Sequence, residues 1–281
     1  MLSELPTPAA TEIALRGVSS ERRGRSVAAS ISLPDLAELV GAAPPDSPDL
    51  ANVRFALRHC NSGQPLVRNG DPLRSMYAVR RGMFKQVGMS SGGSEQVLSF
   101  PAVGDVIGAE GIDAGVHQAD VTALNDAEVA ILPIALLDRL EREYPVVGQM
   151  LSRICGKELN RAIESMWMLG ILGATARVAL FLIRLSARLA HGGVPRRVFD
   201  LPMTRAEIGS FLGISVETVS RALGSLSDAG LITVRQREIG ICDYAGLQAV
   251  TEYEGSEPLP RRRYGAEDGL RERSHSVRSA S

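Results

Sequence analysis

Residues 204–224 read TRAEIGSFLGISVETVSRALG, and this stretch decides the fold of the C-terminal part of the chain. Its apolar residues recur at helical spacing in two short runs: Ile208, Phe211 and Leu212, then Val216, Val219 and Leu223. Gly213 and Ser215 lie between the runs, so the pattern predicts two helices joined by a tight glycine turn. Ser215 is expected to cap the second helix, and Glu217 and Thr218 suit the positive end of its dipole.

The second helix leaves four side chains on one outward face: Val216, Glu217, Ser220 and Arg221. Such a face fits the major groove of DNA. Arg pairs with guanine O6 and N7, Glu accepts from a cytosine or adenine amino group, and Val or Ser meets a thymine methyl group. The alternative is a plain pair of helices whose polar face contacts only water.

Two short β-branched runs follow these helices, GLITV at 230–234 and EIGIC at 238–242. They flank the charged corner Arg235-Gln236-Arg237 and predict the β-hairpin of a winged helix. We expect Arg235 and Arg237 to contact DNA phosphates. The predicted DNA-contacting set is completed by four further residues: Thr204, Arg205, Ser215 and Thr218.

With the wing included, residues 203–234 resemble the CRP/FNR superfamily of bacterial transcription regulators, and most strongly its oxygen-responsive FNR branch. The E-x-x-S-R core of that branch corresponds to Glu217, Ser220 and Arg221. Val216 matches a position that helps to separate TTGAT half-sites from CRP-type half-sites. The resemblance implies a homodimeric activator that binds double-stranded TTGAT-N4-ATCAA palindromes and works with RNA polymerase.

Composition is consistent with a DNA-binding role but not with a bulk polycation. The 281 residues are 44% hydrophobic and 22% charged with a formal net charge of −1, enough for two domains plus tails. Residues 173–250 hold nine Arg, no Lys and six Asp or Glu, so any phosphate attraction is local. Neither a membrane-spanning run nor a leader pattern is evident, and the three cysteines are widely spaced. We therefore expect a cytoplasmic protein with reduced thiols and no membrane partner.

Between about residues 46 and 140, short apolar runs alternate with glycine turns, which predicts a small antiparallel barrel or jelly roll. The candidate strands are 65–67, 76–79, 84–87, 96–98, 105–107 and 128–132. Residues 69–77 and 100–108 resemble the effector-domain signature of the same superfamily. The predicted fold class is α+β: an N-terminal antiparallel β-roll of the cyclic-nucleotide-binding kind, a long dimerisation helix and a C-terminal winged helix-turn-helix.

A long helix is predicted at about residues 145–172. One uncharged stripe follows heptad spacing: Ser152, Cys155, Leu159, Ala162, Met166 and Leu169. A second apolar stripe, Val147, Met150, Leu151 and Ile154, is available for packing within the chain. We interpret the first stripe as the dimer interface; ordinary packing against the barrel is the alternative. The resemblance implies that this helix pairs with the same helix of a second subunit. Ala162 stands where the FNR branch commonly carries an acidic residue, so no pair of like charges would oppose pairing here, and dimerisation should need no signal.

These patterns predict five segments. Residues 1–45 are a tail with a short helical lead-in, 46–142 the β-roll, 143–172 the dimerisation helix, 173–251 the winged helix-turn-helix and 252–281 a disordered tail. The arginine run at 261–263 is a candidate auxiliary DNA arm, although a solvated end is the simpler interpretation.

No cofactor is expected. Oxygen sensors of the FNR branch hold an iron–sulfur cluster with four cysteines, whereas residues 1–59 contain no Cys and the fourth ligand position falls at Ala130. Cyclic-nucleotide binders use an Arg-Ser pair, and Gln118 and Ala119 stand there, with only Glu110 near the ribose-contacting place.

Other functions stay open at this point. His59, Cys60 and His117 are possible haem ligands, and Cys155 is a possible redox thiol, though a structural one is favoured. A cupin-like enzyme would need grouped histidines, and the four His residues are scattered. A sensor that only binds protein partners is a further alternative. We expect no catalytic residues, no metal site and no enzyme activity.

Overall fold

The computed structural model describes residues 29–90, 92–190 and 194–252. It contains an antiparallel β-roll, a long helix and a smaller helical domain with its own sheet, so the predicted α+β fold class is confirmed. The tail segments at 1–28 and 253–281, with the arginine run at 261–263, lie outside the described residues.

Nine strands build the β-roll: β1 (Ser30–Ser32), β2 (Arg54–Cys60), β3 (Pro65–Val67), β4 (Ser75–Arg81), β5 (Phe84–Met89), β6 (Glu95–Ser99), β7 (Val106–Ile107), β8 (Asp120–Ala123) and β9 (Ala127–Pro133). They form a five-stranded sheet, β1-β2-β9-β4-β7, and a four-stranded sheet, β3-β8-β5-β6, with antiparallel pairing throughout. All six predicted strands are present. Strands β1, β2 and β8 were missed. Strand β2, RFALRHC, carries charged residues within an otherwise apolar run, and β1 (SIS) and β8 (DVTA) each contain a single large apolar residue.

The helical lead-in expected before residue 45 is α1 (Leu33–Leu39), capped by Ser32, whose Oγ accepts from the Asp35 N–H at 3.2 Å. Strand β1 precedes it and pairs with β2, so part of the segment assigned to a tail belongs to the sheet. A short helix, α2 (Pro48–Ala51), follows. Leu33 and Leu36 of α1 share one buried cluster with Phe55, which fixes the lead-in on the roll.

Two helices leave the roll: α3 (Ile134–Glu143) and α4 (Pro145–Ile171). The second predicted stripe of α4 packs as expected, since Val147, Met150 and Ile154 are buried in the cluster that contains α1. Near the other end of α4, Met168 is buried in a different cluster, formed with the C-terminal domain. One helix therefore contacts both domains.

The C-terminal domain contains α5 (Ala174–Arg188), β10 (Val198–Asp200), α6 (Arg205–Leu212), α7 (Val216–Asp228), β11 (Ile232–Arg235), β12 (Glu238–Ile241) and α8 (Tyr244–Glu252). The predicted helix pair is α6 and α7, and the predicted hairpin is β11 and β12. Strand β10 adds to the hairpin, giving the order β10-β12-β11, and it was not predicted from the sequence.

The C-terminal domain is packed directly on the β-roll. Phe100 of the roll lies with its ring centroid 6.0 Å from Phe181 of α5 and 5.4 Å from Phe211 of α6. The Lys85 Nζ and Glu207 Oε1 atoms are 2.7 Å apart, and the Val97 N–H donates to Ser210 Oγ at 2.9 Å. The buried apolar cluster is continuous across this junction.

Candidate nucleic-acid interface

The first helix of the pair, α6, begins with a complete capping box. Thr204 Oγ1 accepts from the Glu207 N–H at 3.2 Å, and the Thr204 N–H donates to Glu207 Oε2 at 2.7 Å. Burial by itself would raise the pKa of Glu207, but hydrogen bonds from Lys85 and Thr204 outweigh it and lower that pKa. Thr204 therefore caps α6, and it is also exposed at the start of that helix.

The turn between α6 and α7 depends on two glycines. Gly213 has φ 64°, the left-handed conformation expected of a helix C-terminal glycine. A Cβ atom at Gly209 would lie 2.6 Å from the carbonyl oxygen of Ile214, so any side chain there would force the helices apart. Gly213 is recognisable in the sequence as the turn glycine, whereas Gly209 is not, because a glycine inside an apolar helical run carries no spacing signal.

The second helix, α7, begins where predicted. Ser215 caps it, since its Oγ accepts from the Thr218 N–H at 3.2 Å. Four residues bury the inner face: Val219, Ala222, Leu223 and Leu226. The outer face is left in solvent: Val216 is 40% exposed, Glu217 and Arg221 are exposed, and Ser220 is partly exposed.

Side chains on this outer face are held in position by hydrogen bonds. Arg221 Nη2 donates to Thr218 Oγ1 at 3.0 Å, and Arg205 Nη1 donates to Ser220 Oγ at 3.3 Å. Hydrogen bonds from its own backbone N–H and from Ser215 lower the pKa of Glu217, so its carboxylate is a hydrogen-bond acceptor at neutral pH. Donor and acceptor groups thus lie one helical turn apart on the same face.

The wing places its two arginines differently. Gln236 turns the hairpin with φ 55°, and Arg235 is exposed beside it. Arg237, although expected to contact phosphate, donates from Nε to the Leu201 carbonyl at 2.9 Å and from Nη2 to the Pro202 carbonyl at 2.7 Å. Its guanidinium therefore ties the wing to the segment that precedes α6, a role the sequence alone did not indicate.

The two domains match known families. Residues 176–250 match the Crp-like helix-turn-helix domain, and residues 57–144 match the cyclic nucleotide-binding domain. Electron transport regulator A of Shewanella oneidensis is 37% identical over 185 residues, which cover 66% of this chain and 74% of that protein. The chain belongs to the CRP/FNR family of DNA-binding transcription regulators.

Two further relatives agree with this assignment. The transcriptional activator protein FnrA of Stutzerimonas stutzeri is 35% identical over 69% of this chain and 79% of its own length. The structure of FixK2 from Bradyrhizobium japonicum aligns with a TM-score of 0.63 and 28% identity, covering 70% of this chain and 96% of FixK2. The relatives are regulators and not enzymes, so the cupin-like alternative is wrong.

In this CRP/FNR regulator, Arg177 of α5 holds the connection between α4 and the DNA-binding domain. Its guanidinium donates to three carbonyl oxygens, of Leu169 at 2.7 Å, Leu172 at 2.8 Å and Leu212 at 2.9 Å. The first two lie at the C-terminal end of α4, where carbonyls lack helical partners, and the third ends α6. The role of Arg177 could not be predicted from the sequence, because nothing in its local pattern distinguishes it from a surface arginine.

The predicted dimer stripe on α4 is uncovered in the single chain. Leu159 is 61% and Met166 73% exposed; Ser152, Cys155 and Ala162 are exposed, and Leu169 is partly exposed. Three more apolar residues of the C-terminal half are also more than half exposed: Ile163, Trp167 and Ile171. The uncovered apolar surface is therefore wider than the heptad stripe.

The positions that the family resemblance assigns to effector ligands lie in the roll. Ala130 in β9 and Ala119 are both fully buried. Each side chain is a methyl group, so the first position offers no thiolate and the second no hydroxyl or charge. Glu110 Oε2 accepts from the Gly108 N–H at 3.0 Å. Gln118 is exposed, and its Nε2 donates to the Val116 carbonyl at 3.3 Å. Gln118 and Ala119 thus supply neither the guanidinium nor the hydroxyl with which an Arg-Ser pair holds a phosphate.

The haem and thiol candidates differ in their surroundings. His117 is 2% exposed and stacks on Tyr77 with ring centroids 6.2 Å apart; burial lowers its pKa, so it is neutral. Cys60 is fully buried and burial raises its pKa, whereas Cys155 is exposed on α4. Across the described ranges no three His, Cys, Asp or Glu side chains are grouped as a metal site would require. Nor does any described helix have the length and apolar content needed to cross a bilayer.

Proposed function

We propose that this CRP/FNR regulator binds TTGAT-N4-ATCAA palindromes as a homodimer and needs neither an iron–sulfur cluster nor cyclic AMP. The observation that carries the proposal is the uncovered face of α7. Arg221 and Glu217 lie one turn apart on it, and Val216 lies at its exposed N-terminal end. Recognition helices of this kind contact base edges with their N-terminal residues.

The roles follow from the chemistry of each side chain. Arg221 pairs with the guanine of TTGAT, Glu217 accepts from a base amino group, and Val216 and Ser220 contact thymine methyl groups. Thr204, Arg205, Ser215, Thr218 and Arg235 lie around this face and contact phosphates, which positions the helix without reading sequence. We give Arg237 mainly a structural role, because two of its donors already hold backbone carbonyls.

Dimerisation brings two such helices to the two halves of the palindrome. Exposed apolar residues on α4 favour a helix–helix interface through Ser152, Cys155, Leu159, Ala162, Met166 and Leu169. The stripe carries no charge, so no like-charge repulsion opposes pairing. The dimer should therefore form whether or not oxygen is present.

The remaining parts of the proposal concern the cellular setting. A regulator of promoters acts where the chromosome is, which in bacteria is the cytoplasm, and an activator recruits RNA polymerase. The name of the FnrA relative supports activation. We keep 143–172 and 173–251 as the units of pairing and DNA binding, and we extend the sensing unit from 46–142 to 30–142 because β1 and α1 pack on the roll.

A mobility-shift experiment tests the proposal. The full chain is titrated onto the TTGAT palindrome, onto a CRP-type palindrome and onto a duplex with one half-site, in air and without oxygen. We expect the TTGAT palindrome to bind tightest, as a two-subunit complex, with equal affinity in both atmospheres. Preference for the CRP-type site, or binding only without oxygen, would contradict it.

A further inference from the structure

The carboxylate of Asp105 lies where three parts of the molecule meet. Asp105 follows the Gly104 turn of the roll, just before β7, and is 5% exposed. Its Oδ2 accepts from the Ala102 N–H at 2.8 Å. Its Oδ1 contacts Arg161 Nη2 of α4, and its Oδ2 contacts Arg188 Nη2 of α5.

Acidic and basic side chains are paired around Asp105. Glu158 of α4 contacts Arg161 Nη1, so two acids face two guanidinium groups. Burial lowers the pKa of Arg188 to about 10, which still leaves it protonated at neutral pH. A buried carboxylate without these partners would strongly destabilise the fold. Because the partners lie on α4 and α5, the contacts hold both helices against the Gly104 turn.

The positions of the two arginines connect pairing to DNA binding. Arg161 lies beside Ala162 of the proposed dimer stripe, and Arg188 is the last residue of α5. Along the chain, α4 and α5 are joined only by Leu172 and Gly173. Arg177 and the Phe100 contacts also hold the C-terminal domain, but they do not join the roll, α4 and α5 at one group. Asp105 therefore adds a link from the roll to both helices, which restrains the angle between the helix that pairs and the domain that binds DNA.

We propose that Asp105 is a positioning residue that sets the spacing between the two half-sites the dimer accepts. The proposal rests on the proposed homodimeric function. In a dimer, the distance between the two copies of α7 depends on how each DNA-binding domain is oriented against α4. Loss of the Asp105 link leaves each α7 intact but widens the range of distances between the two copies.

The test begins with selection of binding sites from a pool of random duplex DNA, by the full-length wild type and by Asp105→Asn. The affinity of each protein is then measured for pairs of the selected half-sites separated by three to six base pairs. Asp105→Asn keeps the size of the side chain and removes its charge. We expect the wild-type preference for one spacing to fall about tenfold in the variant, as for loss of a coupling between linked sites. The selected half-site sequence should stay the same.

Matched variants separate positioning from general damage. Glu164→Gln breaks the Arg184–Glu164 pair, 3.2 Å apart, which joins the same two helices at the surface, and it should leave the spacing preference unchanged. Arg188→Gln should act like Asp105→Asn, and the double variant should lose little more than either one, because both remove the same contact. Arg188→Gln also serves as the test if Asp105→Asn does not fold.

The outcomes distinguish this inference from the proposed function. A folded Asp105→Asn or Arg188→Gln dimer that keeps the wild-type spacing preference overturns the role of Asp105 and leaves the proposed function standing. A wild-type half-site other than TTGAT overturns the proposed sequence, while the spacing comparison still decides the role of Asp105. Selection of single half-sites by the wild type overturns both.

Discussion

Helices α4 and α7 each expose a face that the described part of the chain does not cover, and the two faces differ in chemistry. The face of α7 carries Glu217, Ser220 and Arg221, whereas that of α4 carries Leu159, Met166 and other apolar groups. Polar groups with fixed directions suit the hydrogen-bonding edges of bases, and exposed apolar area suits another protein surface. Comparing the two faces therefore indicates one nucleic-acid partner and one protein partner.

The largest effect is expected on α4. Ala162→Asp would place two like charges in the proposed helix–helix interface, at a cost of about 3 kcal/mol or more to dimerisation. Sedimentation should show a monomer, and binding to the palindrome should be lost with it. Ala162→Asn, which has the same shape without the charge, is the control and should remain largely dimeric. A dimer of unchanged affinity in Ala162→Asp would show that α4 pairs elsewhere or not at all.

The next effect concerns the reading of bases by α7. Arg221→Ala should cost about 1–3 kcal/mol for each half-site and flatten the preference at the guanine of TTGAT. Competition between the palindrome and duplexes in which that guanine is replaced measures both the affinity and the preference for guanine. The exposed Arg142 of α3 lies on a different domain, so Arg142→Ala should change neither quantity. Undiminished discrimination by Arg221→Ala would mean that this face does not read the base.

The two wing arginines should separate affinity from stability. Arg235→Ala should weaken binding to all sequences evenly and make its salt dependence shallower, because a phosphate contact is lost. Arg237→Ala should lower the free energy of unfolding by about 1–3 kcal/mol, because two carbonyls lose a charged donor. Denaturant melts and salt titrations of both variants test the contrast. If Arg237→Ala unfolds at the same denaturant concentration as the wild type but its DNA binding has a shallower salt dependence, Arg237 contacts phosphate after all.

The smallest effect is a pH-dependent one at the start of α6. The pKa of Glu207 is lowered in the folded chain from 4.5, so its ionised form stabilises the fold above that pH, and the contribution is lost as the pH falls through the folded value. Glu207→Gln should destabilise by about 1 kcal/mol at pH 7, and the difference from wild type should shrink below about pH 4.5. Melts across this range test it, with the exposed Glu143→Gln as control. A difference that does not change with pH would mean that packing, not charge, accounts for the loss.

The comparison also explains what the sequence could predict. The α7 interface is local: the cap at Ser215, the turn at Gly213 and the outward residues all lie within a few turns of one helix, where spacing fixes geometry. The β-roll and the winged domain followed from such local patterns, and the family followed from the resemblance of residues 203–234 to known regulators. Arg177, Arg237 and Asp105 did not, because each bonds a backbone or side-chain group that is distant in sequence. Gly209 did not either, because the close approach of the Ile214 carbonyl depends on how α6 meets the turn. Their roles depend on how elements pack, which periodicity does not contain.

The aromatic contact between Phe100, Phe181 and Phe211 has a consequence for how such regulators are recombined. A chimaera cut at Gly173 would keep Phe100 from one parent and take Phe181 and Phe211 from another, exposing a mismatched apolar seam between sensor and DNA-binding domain. Exchange of DNA-binding domains between relatives must therefore carry the facing strand β6 and Phe100 with it. In this molecule the unit that can be transplanted is larger than the unit that contacts DNA.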